Sequence, residues 1–133
     1  MGDDKEKIII AVYSERVSDD AWNEGVIGLV AGKLTEKYYK PALVITKSGE
    51  GYKGSGRSIE EFDIMEALEE AAEFLDKFGG HKAACGFSLF EGNLAGFIGR
   101  MKKIAGKKLD EVVLAPKLKI EAEIELAEAG EDL

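Results

Sequence analysis

Apolar and polar residues alternate along this chain with two different periods, which predict both strands and helices. A short β-branched run at 7–14 suits a buried strand. Between 23 and 39 the apolar residues recur at three- and four-residue steps, the spacing of a helix, which Pro41 ends. The predicted elements, in chain order, are strand 7–14, helix 23–39, strand 42–47, strand 52–58, a helix from 63, strand 81–90, a helix from 93 and strand 118–126. This order predicts an α/β (α+β) fold, with a mixed sheet of about five strands and about three packing helices.

The first predicted helix carries three glycines, Gly25, Gly28 and Gly32. Each glycine inside a helix costs about 1 kcal/mol relative to alanine, because its backbone loses more freedom on folding. We expect a compensating contact, namely the close approach of a strand or a ligand.

The predicted helix from Asp63 begins with a capping pattern, in which a glutamate follows three residues later. Its apolar residues share one side, and the other side is acidic. The acidic residues are Glu66, Glu69, Glu70 and Glu73. We interpret this side as a solvated face and not as a metal site. Residues 118–126 alternate strictly between apolar and charged positions, which predicts a half-exposed strand.

Length and composition indicate a folded protein of one domain, since 133 residues are 45% hydrophobic and 33% charged. No apolar run is long enough to span a membrane, and the polar start does not resemble a signal peptide. Cys85 is the only cysteine, which excludes an intrachain disulfide and a multi-cysteine zinc site. We therefore expect a reducing, cytoplasmic location. Cys85 itself is predicted to be a small buried hydrophobic residue.

The net charge of −8 argues against an autonomous, tight nucleic-acid-binding protein, because such affinity comes mostly from neutralised phosphates. A local basic site is compatible with this charge, since five basic residues lie in or beside two glycine-rich motifs. These residues are Lys47, Lys53, Arg57, His81 and Lys82. An ordinary mixed surface is the alternative that charge alone leaves open.

The two glycine-rich motifs hold the residues best suited to chemistry. The first, at 54–58, reads Gly-Ser-Gly-Arg-Ser, and the planar guanidinium of Arg57 matches the oxygens of a phosphate. The second, at 79–86, contains His81, the only histidine of the chain. Glycine lets a ligand approach the backbone closely, and the start of the first helix offers free amides to anions. The candidate phosphate-binding residues are Gly54, Ser55, Gly56, Arg57, Ser58, Gly79, Gly80, His81, Asn23 and Gly25.

Each of these candidates also has a purely structural interpretation. Arg57 could form a surface salt bridge with the acidic helix that follows, and the motif at 54–58 could be a tight hairpin end. His81 could be a core histidine that caps a turn. Asn23 could be an ordinary N-cap, and Trp22 could be a core aromatic residue instead of one that stacks on a base.

Three ordered segments of the chain resemble those of RecJ-type single-stranded-DNA-specific exonucleases. Residues 22–31 are similar to the family segment Trp-His-x-Gly-Val-Ile-Gly-x-Val-Ala. Residues 54–58 match Gly-Ser-Gly-Arg-Ser, and residues 78–86 match the Gly-Gly-His-x-x-Ala-Ala-Gly element, with Cys85 in the place of the second alanine or its neighbour. This resemblance implies the DHH-associated domain, the second of two core domains in that family. Asn23 stands where the family often has histidine, and asparagine carries no charge.

The resemblance implies that this chain supplies only part of an enzyme. Residues 1–116 would form the DHH-associated substrate-binding domain, and 117–133 a C-terminal strand and acidic tail that lead toward a following region. The family's catalytic DHH domain carries aspartate and histidine ligands for manganese or magnesium, and no such motif occurs in this sequence. We therefore expect no cofactor in this chain, Mn²⁺ or Mg²⁺ in the absent catalytic domain, and no cleavage by the isolated chain.

The function implied by the resemblance is that of a substrate-binding domain in a metal-dependent 5′-3′ exonuclease acting on single-stranded DNA. Its partners would be single-stranded nucleic acid, bound weakly by the isolated chain, and the catalytic DHH domain. No membrane is involved. Arg57 and the glycine amides would position phosphates, and His81 would assist catalysis by stabilising developing charge.

Two other functions stay open on the sequence. A domain of an oligonucleotide or cyclic-dinucleotide phosphodiesterase would carry a similar Gly-Gly-His element and would prefer very short substrates. A non-catalytic interaction module would use the acidic helix at 63–76 as its partner surface. Charge reversal at Glu69 and Glu70 would then abolish binding of that partner, while Arg57 would be irrelevant.

Overall fold

The computed structural model describes residues 6–13 and 24–109, and this part of the chain forms five strands and three helices. The strands are β1 (Ile9–Tyr13), β2 (Ala42–Ser48), β3 (Gly51–Arg57), β4 (Lys77–His81) and β5 (Ala84–Phe90). The helices are α1 (Glu24–Tyr38), α2 (Ile64–Glu70) and α3 (Leu94–Leu109), with short 3₁₀ turns at Ala72–Phe74 and Glu91–Asn93. The predicted strand at 118–126, the boundary after residue 116, Trp22 and Asn23 lie outside the described residues.

The five strands form one mixed sheet in the order β1-β2-β3-β5-β4, which confirms the predicted fold class. β1 and β2 run parallel, because α1 carries the chain back between them as a crossover. β2 and β3 form the predicted antiparallel hairpin, and β5 and β4 continue the antiparallel pairing. Among the described strands, β3 is therefore the central one, and β1 and β4 are the outermost.

Helices cover the two faces of the sheet unequally. On one face α1 packs on β2 and β3 around Val44, and no helix of residues 6–13 or 24–109 covers most of β5 and β4. On the other face α2 and α3 enclose the main core, where the ring centroids of Phe87 and Phe97 lie 5.1 Å apart. The strand residues alternate accordingly, since Leu43 and Ile45 of β2 belong to the main core. The uncovered part of the α1 face is the part that can receive a ligand.

The strand predicted at 81–90 is observed as β5 from Ala84 on, but His81 ends a further strand, β4, that the sequence did not predict. The turn between β4 and β5 consists of Lys82 and Ala83 and lacks the glycine, proline or asparagine that marks most turns. Hydrogen bonds from distant residues hold it instead. The amide of Ser58 donates to the carbonyl of Ala83 at 3.0 Å. The amide of Ile64 donates to the carbonyl of Lys82, also at 3.0 Å.

α2 begins as predicted, and its acidic side contacts α3. The Asp63 carboxylate accepts a hydrogen bond from the Glu66 amide at 3.0 Å, which confirms the capping pattern. The side chains of Glu66 and Glu70 both lie 3.2 Å from the amine of Lys108 on α3. The acidic side is exposed, as predicted, but it also joins two helices. The surface that it offers to a protein partner is correspondingly smaller.

Candidate functional site

Three rows of side chains cross the uncovered part of the sheet, on the face that carries α1. Directly opposed residues of neighbouring strands place their side chains on the same face. Each row contains one residue of β3, one of β5 and one of β4. The rows are Arg57, Ala84 and His81; Ser55, Gly86 and Gly79; and Lys53, Ser88 and Lys77. The strand register therefore brings the two glycine-rich motifs together, with small residues of β5 between them.

These rows line an open groove of about 600 Å³, which we call the basic groove. Arg57 and Lys53 stand on its β3 wall, His81 and Lys77 stand on its β4 wall, and β5 forms the floor. None of the described residues that line the groove is an aspartate or a glutamate. In a chain with a net charge of −8, this lining creates a local field that favours anions.

The Arg57 guanidinium is fixed on the β3 wall by neutral groups. Its Nη1 donates to the Ser55 hydroxyl at 3.1 Å and to the Gly56 carbonyl at 2.8 Å. Within 6–13 and 24–109 no carboxylate forms a salt bridge with it, so the alternative of a bridge to the acidic helix was wrong. The positive charge is therefore oriented and keeps N–H donors for an anion.

α1 packs its glycine side against Arg57. A Cβ atom at Gly28 would lie 2.8 Å from Nη2 of Arg57 and 3.4 Å from the Ser55 hydroxyl oxygen. Thr35 Oγ1 also donates to the Arg57 carbonyl at 3.3 Å, so the helix holds both the side chain and the strand. The expected close approach is confirmed at Gly28, and the approaching group is an arginine side chain.

His81 stands on the opposite wall, at the end of β4, with an exposed side chain. Its Nδ1 accepts a hydrogen bond from the Ala83 amide at 3.3 Å. In a neutral imidazole an accepting Nδ1 leaves the proton on Nε2, which can then donate to an anion. The alternative of a core histidine was wrong, although the imidazole does cap the turn between β4 and β5.

The two glycines of the first motif point to the main core and away from the basic groove. A Cβ atom at Gly54 would lie 2.6 Å from a carbon of the Phe87 ring, and one at Gly56 would lie 2.8 Å from the Cys85 sulfur. β3 is paired on both sides, so their amides take part in the two ladders of the sheet. Residues 54–57 of the motif lie within β3 and Ser58 follows it, so the motif is not a tight hairpin end.

Ser58 and the two glycines of β4 shape the groove in different ways. Ser58 donates its hydroxyl proton to the Phe62 carbonyl at 2.6 Å. Gly80 has a φ of +138° and lies so close to β5 that a Cβ atom there would be 2.7 Å from Cys85 Cα. Gly79 is open, since no described atom lies within 4 Å of its Cβ position. A ligand can approach the strand backbone at this point.

The remaining described candidates are not members of the three rows. Gly25 is exposed in the first turn of α1, and Asn23 precedes the described part of this helix. Lys82 is exposed in the turn between β4 and β5. Lys47 faces the other side of the sheet, where its amine lies 3.2 Å from the Glu91 carboxylate. Its assignment to the local basic site was therefore wrong.

The floor of the basic groove was missed by the sequence reasoning. β5 alternates between small residues on the groove side and larger residues on the core side. The small ones are Ala84, Gly86 and Ser88, and the larger ones are Cys85, Phe87 and Leu89. This alternation of size is the signal that reveals a strand with one face open to close approach. Lys77 borders the second motif but was not among the candidate residues.

Cys85 is buried on the core side of β5, which confirms its prediction as a small hydrophobic residue. Burial raises the pKa of its thiol to about 12, while the nearby Arg57 charge and the Gly56 backbone act in the opposite direction. A thiol that stays protonated at neutral pH is a poor nucleophile.

We expect the free energy of unfolding to fall as the pH rises from about 9 toward 12. The Cys85 thiol ionises near 9.0 when exposed and near 12 when folded, so in this window only the unfolded state loses the proton. Below the pKa of the unfolded state, the thiol makes its full contribution to the free energy of unfolding. This contribution is lost as the pH rises to the pKa of the folded state. Tyr39 adds to the trend, because burial and its hydrogen bond to Glu61 raise its pKa to about 12.

Urea unfolding at neutral pH and at about pH 10.5 measures this effect. The parent chain should lose about 1 kcal/mol per pH unit more than Cys85→Ala within the window. Equal pH dependence in the two proteins would show that the thiol is not the responsible group.

The described residues offer no metal site, because no group of three or more of their His, Cys, Asp and Glu side chains could hold an ion. His81 would supply a single ligand, and a site needs several. No helix in the described ranges is long and apolar enough to cross a membrane.

The five-stranded sheet brings the two glycine-rich motifs to one groove, and this arrangement can be compared with known domain families. The sequence matches the DHHA1 domain family over residues 5–109, a range that includes both motifs. This chain therefore belongs to the DHHA1 domain family.

Within that family the chain is similar to RecJ, as its motifs predict. It is 38% identical over 102 residues to the single-stranded-DNA-specific exonuclease RecJ of Bacillus subtilis, covering 75% of this chain and 13% of that protein. The structure of Thermus thermophilus RecJ with Mn²⁺ matches with a TM-score of 0.67 and 29% identity, over 80% of this chain and 15% of that one. The Mg²⁺ complex gives a TM-score of 0.66, again at 29% identity, over 77% and 15%. The chain spans less than a fifth of the length of these relatives.

Proposed function

We propose that this domain is the substrate-holding part of a RecJ-like 5′-3′ exonuclease, and that its basic groove binds phosphates of single-stranded DNA. The observation that carries the proposal is the position of Arg57 and His81 on facing walls of a groove whose described lining lacks carboxylates. Phosphate oxygens carry the negative charge that such a groove attracts. The similarity to exonucleases specific for single-stranded DNA supports the choice of substrate.

Arg57 is the principal phosphate ligand in this proposal. Its Nη1 is engaged by Ser55 and by the Gly56 carbonyl, so Nη2 and Nε can donate to two phosphate oxygens. The Ser55 hydroxyl is itself tied to the Cys85 carbonyl at 3.3 Å. Because the guanidinium is oriented before the substrate arrives, little rotamer freedom is lost on binding.

His81 contacts the same phosphate from the other wall. Arg57 and His81 lie two strands apart, which is about 10 Å between backbones. Nε2 of His81 donates to a phosphate oxygen or stabilises charge that develops on the scissile group. The open backbone at Gly79 lets the strand come close, and Gly25, with Asn23 before it, adds the amides at the start of α1.

The other motif residues act by positioning. Gly54 and Gly56 let the core pack against β3, and Gly80 lets β4 approach β5. The Ser58 hydroxyl, bonded to the Phe62 carbonyl, fixes the connection that follows β3. The Ser58 amide, bonded to the Ala83 carbonyl, fixes the turn after His81. These residues set the distance between the two walls and do not touch the phosphate.

Hydrolysis belongs to the catalytic DHH domain in this proposal, and Mn²⁺ or Mg²⁺ there activates the attacking water. The RecJ structures that this chain resembles contain these ions. The described residues of this chain do not fit a metal, so the isolated chain should bind single-stranded DNA weakly and cleave none. A cytoplasmic role in DNA repair and recombination fits this activity.

An NMR titration of the isotope-labelled chain tests the proposal, with a single-stranded oligonucleotide at low salt, with and without a 5′ phosphate. We expect amide shifts at 54–58, at 79–81 and at Gly25, which are larger with the phosphate and lost in Arg57→Ala. Shifts confined to the acidic side of α2, or no shifts in a folded protein, would refute the proposal. The former result would favour an interaction module.

Gly28→Ala is expected to weaken phosphate binding without destabilising the domain. The added methyl group meets the far end of the flexible Arg57 side chain, which can move away at little cost. Alanine also favours the helix by about 1 kcal/mol. We therefore expect an equal or higher Tm together with weaker binding of a phosphorylated oligonucleotide.

Gly99→Ala is the matched control for this substitution, because it lies in α3 with no described atom within 4 Å of its Cβ position. It should raise the Tm similarly and leave binding unchanged. If Gly28→Ala binds like the parent chain, the orientation of Arg57 does not depend on this glycine.

A further inference from the structure

Beyond the basic groove, the same side of β5 continues to an aromatic ring in a neighbouring pocket. On the groove side β5 presents Ala84, Gly86 and Ser88, and its last residue on this side is Phe90, opposite Gly51. The Phe90 side chain is 61% exposed. A floor of small residues thus leads from the first row to an exposed ring, with no bulky side chain of β5 in between.

Lys53 and Lys77 face each other across Ser88 at this end of the groove. Lys53 lies four positions before Arg57 on β3, which is about 13 Å along a strand. Neither lysine forms a salt bridge with a carboxylate of residues 6–13 or 24–109, whereas Lys47 on the opposite face does. The register therefore brings two positive charges to this end of the groove, and Glu50 and Asp76 line the neighbouring pocket that holds Phe90.

We propose that single-stranded nucleic acid lies along β5 and occupies both ends of the basic groove. One phosphate lies at Arg57 and His81. The continuing strand places a second phosphate between Lys53 and Lys77, and one of its bases stacks on the ring of Phe90. This inference rests on the proposed function and adds to it a second phosphate position and a base position.

The chemistry of these two positions explains how the domain would hold a strand of any sequence. Lysines neutralise phosphates regardless of the base, and every base has a flat face that stacks on an aromatic ring. The small floor residues let the backbone of the strand lie close to β5. Binding at both positions would require several linked nucleotides, whereas the position at Arg57 requires only one phosphate.

Fluorescence anisotropy of the full chain with 5′-phosphorylated oligothymidylates, a dinucleotide and an octanucleotide, tests this inference. The octanucleotide should bind more tightly than the dinucleotide. The double variant of Lys53→Gln and Lys77→Gln should reduce the slope of log affinity against log salt by about 0.7 for the octanucleotide. Phe90→Ala should weaken the octanucleotide about tenfold, the loss expected for one base–aromatic stack, and leave the dinucleotide unchanged.

Two variants outside the groove serve as controls. Lys103→Gln removes an exposed lysine of α3, and Tyr38→Ala removes an aromatic ring of α1 that is 51% exposed. Both should bind like the parent chain. If Lys53, Lys77 and Phe90 variants also bind like the parent while Arg57→Ala does not, the extended path is refuted and the phosphate site stands. If no oligonucleotide binds the folded parent chain, both proposals fail.

Discussion

Arg57→Ala is expected to lower the affinity of the chain for a 5′-phosphorylated single-stranded oligonucleotide by about 10- to 100-fold. A hydrogen bond to a charged group contributes about 1.5–3 kcal/mol, and each 1.4 kcal/mol is tenfold in affinity. The substitution should leave the fold intact, because the guanidinium hydrogen-bonds to the Ser55 hydroxyl and the Gly56 carbonyl and packs on α1 without a salt bridge to a described carboxylate. No described carboxylate loses an ion-pair partner. Anisotropy titrations at low salt measure the affinity, and thermal unfolding checks the fold.

Two further variants separate the geometry of Arg57 from its charge. Arg57→Lys keeps the charge but lacks the planar fork, so it should restore only part of the affinity. Arg100→Ala removes the same charge from α3, where Arg100 lies 3.6 Å from Glu73, and should bind like the parent chain. Equal weakening by Arg57→Ala and Arg100→Ala would show that binding follows net charge alone and would contradict a specific phosphate site.

The two motifs could be recognised from the sequence. Which residues of the first motif face the groove, and which face the core, could not be predicted. Gly54, Ser55, Gly56 and Arg57 alternate between the two faces of β3, as any strand requires. Which face meets α1 and the groove depends on packing between residues far apart in the sequence. The glycines, which suggested an anion-binding turn, face the core and make room for side chains. The serine and the arginine face the groove.

Local patterns predicted the helices and most of the strands, because hydrophobic periodicity is a property of each segment. β2 was predicted at 42–47 and is observed at Ala42–Ser48. The β4–β5 hairpin was missed because amides of Ser58 and Ile64, not local turn residues, hold its turn. Lys47 was misplaced for a related reason. Closeness in sequence to a motif does not decide on which face of the sheet a side chain lies.

Gly54→Ala is expected to lower the free energy of unfolding by about 2–3 kcal/mol, the largest effect on stability among our predictions. Its Cβ atom would lie 2.6 Å and 3.0 Å from two carbons of the Phe87 ring. That ring is buried and packs on Phe97, so it has no free space to enter. β3 is paired on both sides and cannot shift without disturbing β2 and β5. Urea unfolding of the variant and the parent chain measures the loss.

Gly79→Ala adds the same methyl group to a strand at a position with no described atom within 4 Å, and it should leave the stability nearly unchanged. A second substitution, Phe87→Leu, should cost less in the Gly54→Ala background than in the parent chain, because the smaller side chain vacates the space that the new methyl group needs. If Gly54→Ala is as stable as Gly79→Ala, packing is not the reason for glycine at this position.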